Sequence, residues 1–271
     1  MKTKLGLIVS VFSVVLFFSC KGQEEKPKVI YKDESKTAEQ EVVKEKTEDI
    51  RIADLPLVVG HSPYLIHPVG EVRVYSSSSK YGTSKVSQFS YTVSNYVPFE
   101  ITGYLENLMF QHKDSLNIRP LTTKRIQIQS VVYLNTIAEK LKKNVLVYNV
   151  FDADTNRDGK IDSNDIKTLY ISKGSGDGFK KLSPYLQELL DWTVIDVQSR
   201  LYFRTIEDIN KNGAFDKNDN VNYFYVDLTD PSWEVKTYDP LKVLSTESNQ
   251  ESNQEGNQEE NKEAEETAVS E

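Results

Sequence analysis

Two twelve-residue segments constrain this chain more than anything else in it. Residues 154–165 read DTNRDGKIDSND and residues 208–219 read DINKNGAFDKND, 208 − 154 = 54 positions apart. In both, side-chain oxygens fall at positions 1, 3, 5, 9 and 12, glycine at 6 and an apolar residue at 8. The flanks repeat as well. The first segment lies between VLVYNVF (145–151) and IKTLYIS (166–172), the second between LYFRT (201–205) and VNYFYVD (221–227). Such β-branched and aromatic runs favour strands. Twice, then, a strand must turn through a polar loop into another strand.

The loops sit in a longer repeat. A glycine-rich turn (174–178) and the segment FKKLSP (179–184) follow the first pair of strands, and WEVKTYDP (233–240) follows the second. Upstream strands starting at Ile126 and Trp192 bring each unit to four, and a partial copy without a loop lies at 107–111 and 116–121. Further strand-like runs occur at 71–75 and 86–93, and only 135–143 and 183–190 have helical composition. Many short strands broken by Gly, Ser, Asn and Pro predict an all-β fold. A unit of about 45 to 55 residues cannot cover both of its faces and stacks on its neighbours. The segment 179–184, echoed at 116–122, resembles the hydrophobic-x-Leu-Thr/Ser-Pro signature of TolB-type β-propellers. That resemblance, over about residues 105–240, implies propeller-like repeated four-stranded units in a partial or small propeller; an open stack of sheets or a β-sandwich is the alternative.

Oxygen side chains at this spacing suit a hard cation, which takes six to eight oxygens at about 2.3 to 2.6 Å. The loops resemble those of EF-hands and dockerins, though strands rather than helices flank them. The resemblance implies Ca2+ ligation by Asp154, Asn156, Asp158, the Lys160 carbonyl, Asp162 and Asp165 in the first loop. In the second it implies Asp208, Asn210, Asn212, the Ala214 carbonyl, Asp216 and Asp219. Loop 1 carries four carboxylates and loop 2 three, so the second is expected to bind more weakly. Asp152, just outside, could add charge, and Ile161 is expected to face inward and tie the loop to the body. The competing reading makes both loops polar turns whose Asp and Asn bond their own backbone. External calcium is steady and millimolar, which favours a structural staple over a sensor.

The ends of the chain speak to location. Lys2 and Lys4 precede an apolar run over residues 5–18, too short for a membrane span of about 20 residues but suited to a signal peptide. Ser19-Cys20 closes it, and a small residue before the chain's single cysteine resembles the lipobox of bacterial lipoproteins. That resemblance implies a signal peptide over 1–19, acylation (palmitate-type lipidation) of Cys20 and a lasting membrane anchor. Lys21 rather than Asp after the cysteine resembles outer-membrane sorting, and Glu24-Glu25 resembles surface-export signals. With Cys20 acylated no thiol is left for a disulfide. Residues 20–51 are dense in charge and read as a disordered tether holding the body off the bilayer, with a helix over 35–48 as the alternative. The β-rich domain is expected over 52–243. Residues 244–271 form a low-complexity acidic tail in which nine Glu and one Lys give 1 − 9 = −8, equal to the net charge of the whole chain. Residues 1–243 are therefore net neutral, which argues against nucleic-acid binding, since that requires a basic face.

The catalytic inventory is thin. There are three histidines and no free thiol, no HExxH or GxSxG occurs, and residues 174–178 lack the Lys-Ser/Thr of a P-loop. His61 and His67 flank Pro63 and Pro68 in an expected loop. With 15 Tyr + 11 Phe + 2 Trp = 28 aromatics, some could stack on sugars, although cores consume aromatics too. These features lead to a non-enzymatic, calcium-stabilised surface lipoprotein presenting a binding face to a protein or glycan partner. A surface glycan-processing enzyme and a purely structural envelope protein are the alternatives.

Overall fold

The computed structural model describes residues 27–31, 50–76 and 87–242; the expected signal peptide, Cys20, most of the tether and the acidic tail lie outside them. The strands are β1 (Arg51–Ala53), β2 (Leu57–Val58), β3 (Tyr64–Glu71), β4 (Arg73–Ser76), β5 (Ser87–Ser90), β6 (Ser94–Val97), β7 (Glu100–His112), β8 (Ile118–Pro120) and β9 (Gln127–Tyr133). After the helix α1 (Asn135–Leu141) come β10 (Val145–Phe151), β11 (Lys167–Lys173), β12 (Lys180–Lys181), β13 (Gln187–Ile195), β14 (Arg200–Glu207), β15 (Asn220–Asp227) and β16 (Val235–Thr237). The all-β expectation holds. A first sheet runs β1-β3-β7-β9-β10-β11-β12, with β2 paired to β3 and both β6 and β8 paired to β7. A second sheet runs β13-β14-β15-β16, and β4-β5 form a hairpin.

Hydrophobic patterning explains how the sheets sit. In β10 nearly every residue is buried. Leu146, Tyr148 and Val150 pack into one core with Leu108, Phe110, Ile128 and Val131. Val145 and Val147 pack into another with Leu169, Ile171, Leu201, Phe203, Phe224 and Val226. A strand covered on both faces has no solvent side, so its sequence is apolar almost throughout, with Asn149 the exception. β14 instead alternates, with Leu201 and Phe203 buried and Arg204 exposed between Phe203 and Thr205. The second sheet thus lies with one face on β10-β11 and the other toward solvent. Trp192 adds a polar tie, donating from Nε1 to Asn149 Oδ1 at 3.1 Å. Helix α1 fills the gap between the cores, with Ala138 in the first and Ile137 in the second. It stops at Lys142, whose φ of 55° is left-handed.

Several expectations need correction. The run 183–190 is not helical: Leu186 has φ 57° and β13 starts at Gln187, its backbone claimed by β14. His67 is not in a loop but in β3, opposite Met109 of β7. Pro68 is tolerated there because its side of the strand faces the break between β1 and β2, where its carbonyl accepts the Asp54 N–H at 2.8 Å. Of the two expected four-stranded units only the second, β13-β14-β15-β16, is a sheet of its own. β9-β10-β11-β12 is one end of the first sheet, because β9 also pairs with β7, and the described residues close no ring. The partial copy is the β7-β8 hairpin of that same sheet.

Candidate functional site

Both acidic loops are strand-to-strand connections, loop 1 between β10 and β11 and loop 2 between β14 and β15. Their hydrogen bonds repeat position by position. Asp154 Oδ2 accepts the Gly159 N–H (2.8 Å) and Oδ1 that of Asp158 (3.1 Å); Asp208 does the same with Gly213 (2.7 Å) and Asn212 (3.2 Å). Asn156 Oδ1 accepts from Asp158 N at 3.0 Å, and Asn210 Oδ1 from Asn212 N at 2.9 Å. Asp158 and Asn212 each accept from the N–H two residues on, those of Lys160 and Ala214, at 2.8 Å. Asp162 and Asp216 do so with Asn164 and Asn218, also at 2.8 Å. At position 12, Asp165 accepts from Thr155 N (2.7 Å) and Asp162 N (2.9 Å), and Asp219 from Ile209 N (3.2 Å) and Asp216 N (2.9 Å). The backbone repeats too, with φ 58° at Arg157 and Lys211 and 86° and 83° at Gly159 and Gly213.

Each loop is therefore a chain of Asx turns closed by an aspartate at each end. The donor set is all oxygen, as a hard cation requires. Each carboxylate oxygen has two lone pairs, so bonds to backbone N–H groups leave acceptor capacity. Asn156 Nδ2 and Asp158 Oδ2 lie 3.5 Å apart, which puts the side chains at positions 3 and 5 in contact. Asp165 is fully buried and accepts from the N–H groups of Thr155, Asn156 and Asp162 and from the Thr155 hydroxyl. Among the described residues no ion pair reaches a loop-1 carboxylate. Among them, too, no group of three or more His, Cys, Asp or Glu side chains is gathered as a metal-holding cluster. Like charges about 4 Å apart repel by about 4 kcal/mol at an effective dielectric of 20, so a cation would be needed to draw these carboxylates closer. In donor chemistry, all oxygen with acceptor capacity to spare, the residues suit a hard cation.

Asp152 contributes no free charge. It accepts from Lys181 Nζ (2.8 Å) and Tyr170 Oη (2.7 Å), and burial, then this bond, pushes the Tyr170 hydroxyl far above its ordinary range. Ile161 is half-buried and lines a groove of about 820 Å³ with Arg51, Glu71, Glu106, Lys124 and Ile126. Within that groove Glu106 pairs with Arg51 at 2.5 Å.

Sequence reasoning missed the residues that surround the loops. Five residues inside the expected tether, 27–31, lie against both loops: Ile30 N donates to Thr155 O (3.0 Å) and Lys28 N to Gly213 O (2.7 Å). Tyr31 Oη donates to Asp208 Oδ2 at 2.9 Å; burial first, then this bond, pushes its hydroxyl up to about 12. Glu188, nearly buried, accepts from Lys28 Nζ (3.0 Å) and from Lys167 N (2.9 Å). The available signal was Val-Ile-Tyr at 29–31, an apolar and aromatic triplet inside a charged stretch.

A second feature is the solvent face of the second sheet. The Tyr238 ring lies 5.4, 5.8 and 6.2 Å from those of Tyr202, Tyr223 and Tyr225, and the Arg200 guanidinium sits 4.7 Å over Tyr225. Beside them Arg204 grips Asp191, donating from Nε to Oδ1 at 2.9 Å and from Nη2 to Oδ2. That grip holds the Asp191 carboxyl below its ordinary range. A carboxyl depressed on folding contributes stability above its unfolded pKa, near 4, and loses it as pH falls through the folded value. Asp191 is half exposed, so the effect is small. Asp191→Asn is expected to lower the melting temperature slightly at neutral pH and to leave it unchanged in acid, so that the variant's profile falls less steeply below about pH 4.

Comparison with protein-family models, with curated proteins and with solved structures found no match.

Proposed function

We propose that this is a non-enzymatic, calcium-stabilised lipoprotein of the bacterial outer membrane, anchored through Cys20 and presenting the tyrosine-rich face of its second sheet to a protein or glycan. The observation that carries the calcium half is the position-by-position recurrence of one hydrogen-bond frame in two loops 54 residues apart. An incidental polar turn has no reason to recur with the same left-handed residues at positions 4 and 6. In loop 1 the ion would be held by Asp154, Asn156, Asp158, the Lys160 carbonyl, Asp162 and Asp165. In loop 2 it would be held by Asp208, Asn210, Asn212, the Ala214 carbonyl, Asp216 and Asp219. Calcium supplies positive charge that offsets carboxylate repulsion and pins two neighbouring strand connections. Two consecutive four-stranded meanders, each with a loop across its central hairpin and packed face to face, also support a propeller-like relationship between the units. With residues 27–31 docked on the loops, only 27 − 20 = 7 residue steps separate an acylated Cys20 from the body, about 25 Å fully extended. The loop-bearing end would then be the one nearest the bilayer.

Scanning calorimetry of the whole chain in calcium, magnesium and chelator tests the reading. At tenfold excess over Kd one site adds about 1.4 kcal/mol, or about 4 °C in melting temperature. Most of the rise should vanish in Asp154→Ala and less of it in Asp208→Ala, with magnesium giving little. Identical melts in calcium and chelator would falsify it. The binding half is tested on a glycan array, where Tyr202→Ala and Tyr238→Ala should reduce any signal. The groove containing Glu71 and Glu106 supports a second reading, a glycan-processing enzyme, which requires turnover in a hydrolase screen and its loss in Glu106→Gln.

A further inference from the structure

Residues 27–31 make contacts that a passing linker does not need. Val29 is only 4% exposed. Lys28 N and Val29 N both donate to Gly213 O, at 2.7 and 3.2 Å, and Ile30 N to Thr155 O. The Thr155 hydroxyl returns a bond to Lys28 O at 2.8 Å. The fit extends to a residue the loop needs for itself. A Cβ on Gly213 would stand 2.3 Å from Val29 O and 2.8 Å from Pro27 Cβ, whereas one on Gly159, at the same loop position, would meet nothing within 4 Å. Glycine at position 6 of loop 2 thus satisfies two demands, a positive φ and a close approach by another chain segment.

We propose that residues 27–31 are a strap that joins the tether to both loops, and that docking of the strap and cation binding at loop 2 are one linked equilibrium. The cation half rests on the calcium reading above; the docking half does not. The link runs through Asp208. Its Oδ2 accepts both the Gly213 N–H and the Tyr31 O–H, which fixes the carboxylate and leaves Oδ1, with the longer bond from Asn212, as the freer oxygen. A position-1 ligand held this way is organised before the ion arrives, so the strap strengthens binding. By reciprocity the ion strengthens docking equally.

Limited trypsin digestion of the whole chain, read by mass spectrometry at the Lys28–Val29 bond, tests both halves. Lys26 precedes Pro27 and resists cleavage, so Lys28 reports on the strap itself. Cleavage should be slow in calcium and at least about tenfold faster in chelator, and Val29→Asp should be cut fast in both. In an Asp154→Ala background, which isolates loop 2, Tyr31→Phe should weaken calcium binding about tenfold by calorimetry, the effect of one hydrogen bond to a charged group. Fast cutting of the unaltered chain in both buffers overturns the strap while leaving the heat of calcium binding intact. Equal protection in both buffers with an intact heat of binding overturns the linkage alone. Equal protection with no heat of binding overturns the linkage and the calcium reading together.

Discussion

Phe203→Ala should lower the melting temperature by about 10 °C, corresponding to the loss of about 4 kcal/mol typical of a buried phenylalanine truncated in a core. Phe203 is 1% exposed and stacks on Phe224 of the neighbouring strand, with ring centroids 5.0 Å apart and an interplanar angle of 19°. It belongs to the core that joins the second sheet to Val147, Leu169 and Ile171 of the first, so truncation leaves a cavity at the joint between sheets. Tyr202, one residue earlier on the opposite face, is the control. Its ring touches Tyr225 and Tyr238 at 5.7 and 5.4 Å, and its loss should cost about 1 kcal/mol. Thermal melts of the two variants check the stacking of the sheets directly. Equal costs would mean that the β14 face assigned to the core is not covered.

Asp165→Ala should destabilise the protein by about 3 kcal/mol even in chelator, where no cation contributes. The side chain is fully buried and accepts the N–H groups of Thr155 (2.7 Å), Asn156 (3.2 Å) and Asp162 (2.9 Å). Alanine removes the acceptor for all three without giving them water. At the equivalent position of loop 2, Asp219 is only half-buried and accepts two such bonds, at 3.2 and 2.9 Å. Asp219→Ala should therefore cost about 1 kcal/mol. Urea titrations of both variants in chelator measure this difference. A larger loss for Asp219 than for Asp165 would place the burial of the two loops the wrong way round.

Much of the fold was legible because it follows local rules. The apolar run of β10, interrupted only by Asn149, and the alternation of β14 and β15 differ because one strand is covered on both faces and the others on one. Their tight connection through polar loops requires antiparallel pairing. Other elements were hidden by the same local rules. Residues 183–190 have helix-forming side chains, yet pairing with β14 extends the chain from Gln187. Pro63 and Pro68 suggest a loop, but Pro68 is acceptable in β3 because no ladder bond is asked of its nitrogen. The separation of units failed at β9, whose free edge pairs with β7 from outside the repeat.

What the sequence by itself determined about this protein is the all-β class, the two loops and the strands on either side of them, since side-chain spacing and backbone preference act over a few residues. The hydrogen-bond frame of each loop is likewise local, every bond lying within twelve positions. Only the tertiary structure decided that Asp165 is buried while Asp219 is not, that Asp152 is already held by Lys181 and Tyr170, and that residues 27–31 lie across both loops. Those facts depend on groups brought together from as far apart as Tyr31 and Asp208, 208 − 31 = 177 positions. No pattern within a short window encodes such meetings; packing of the two sheets creates them.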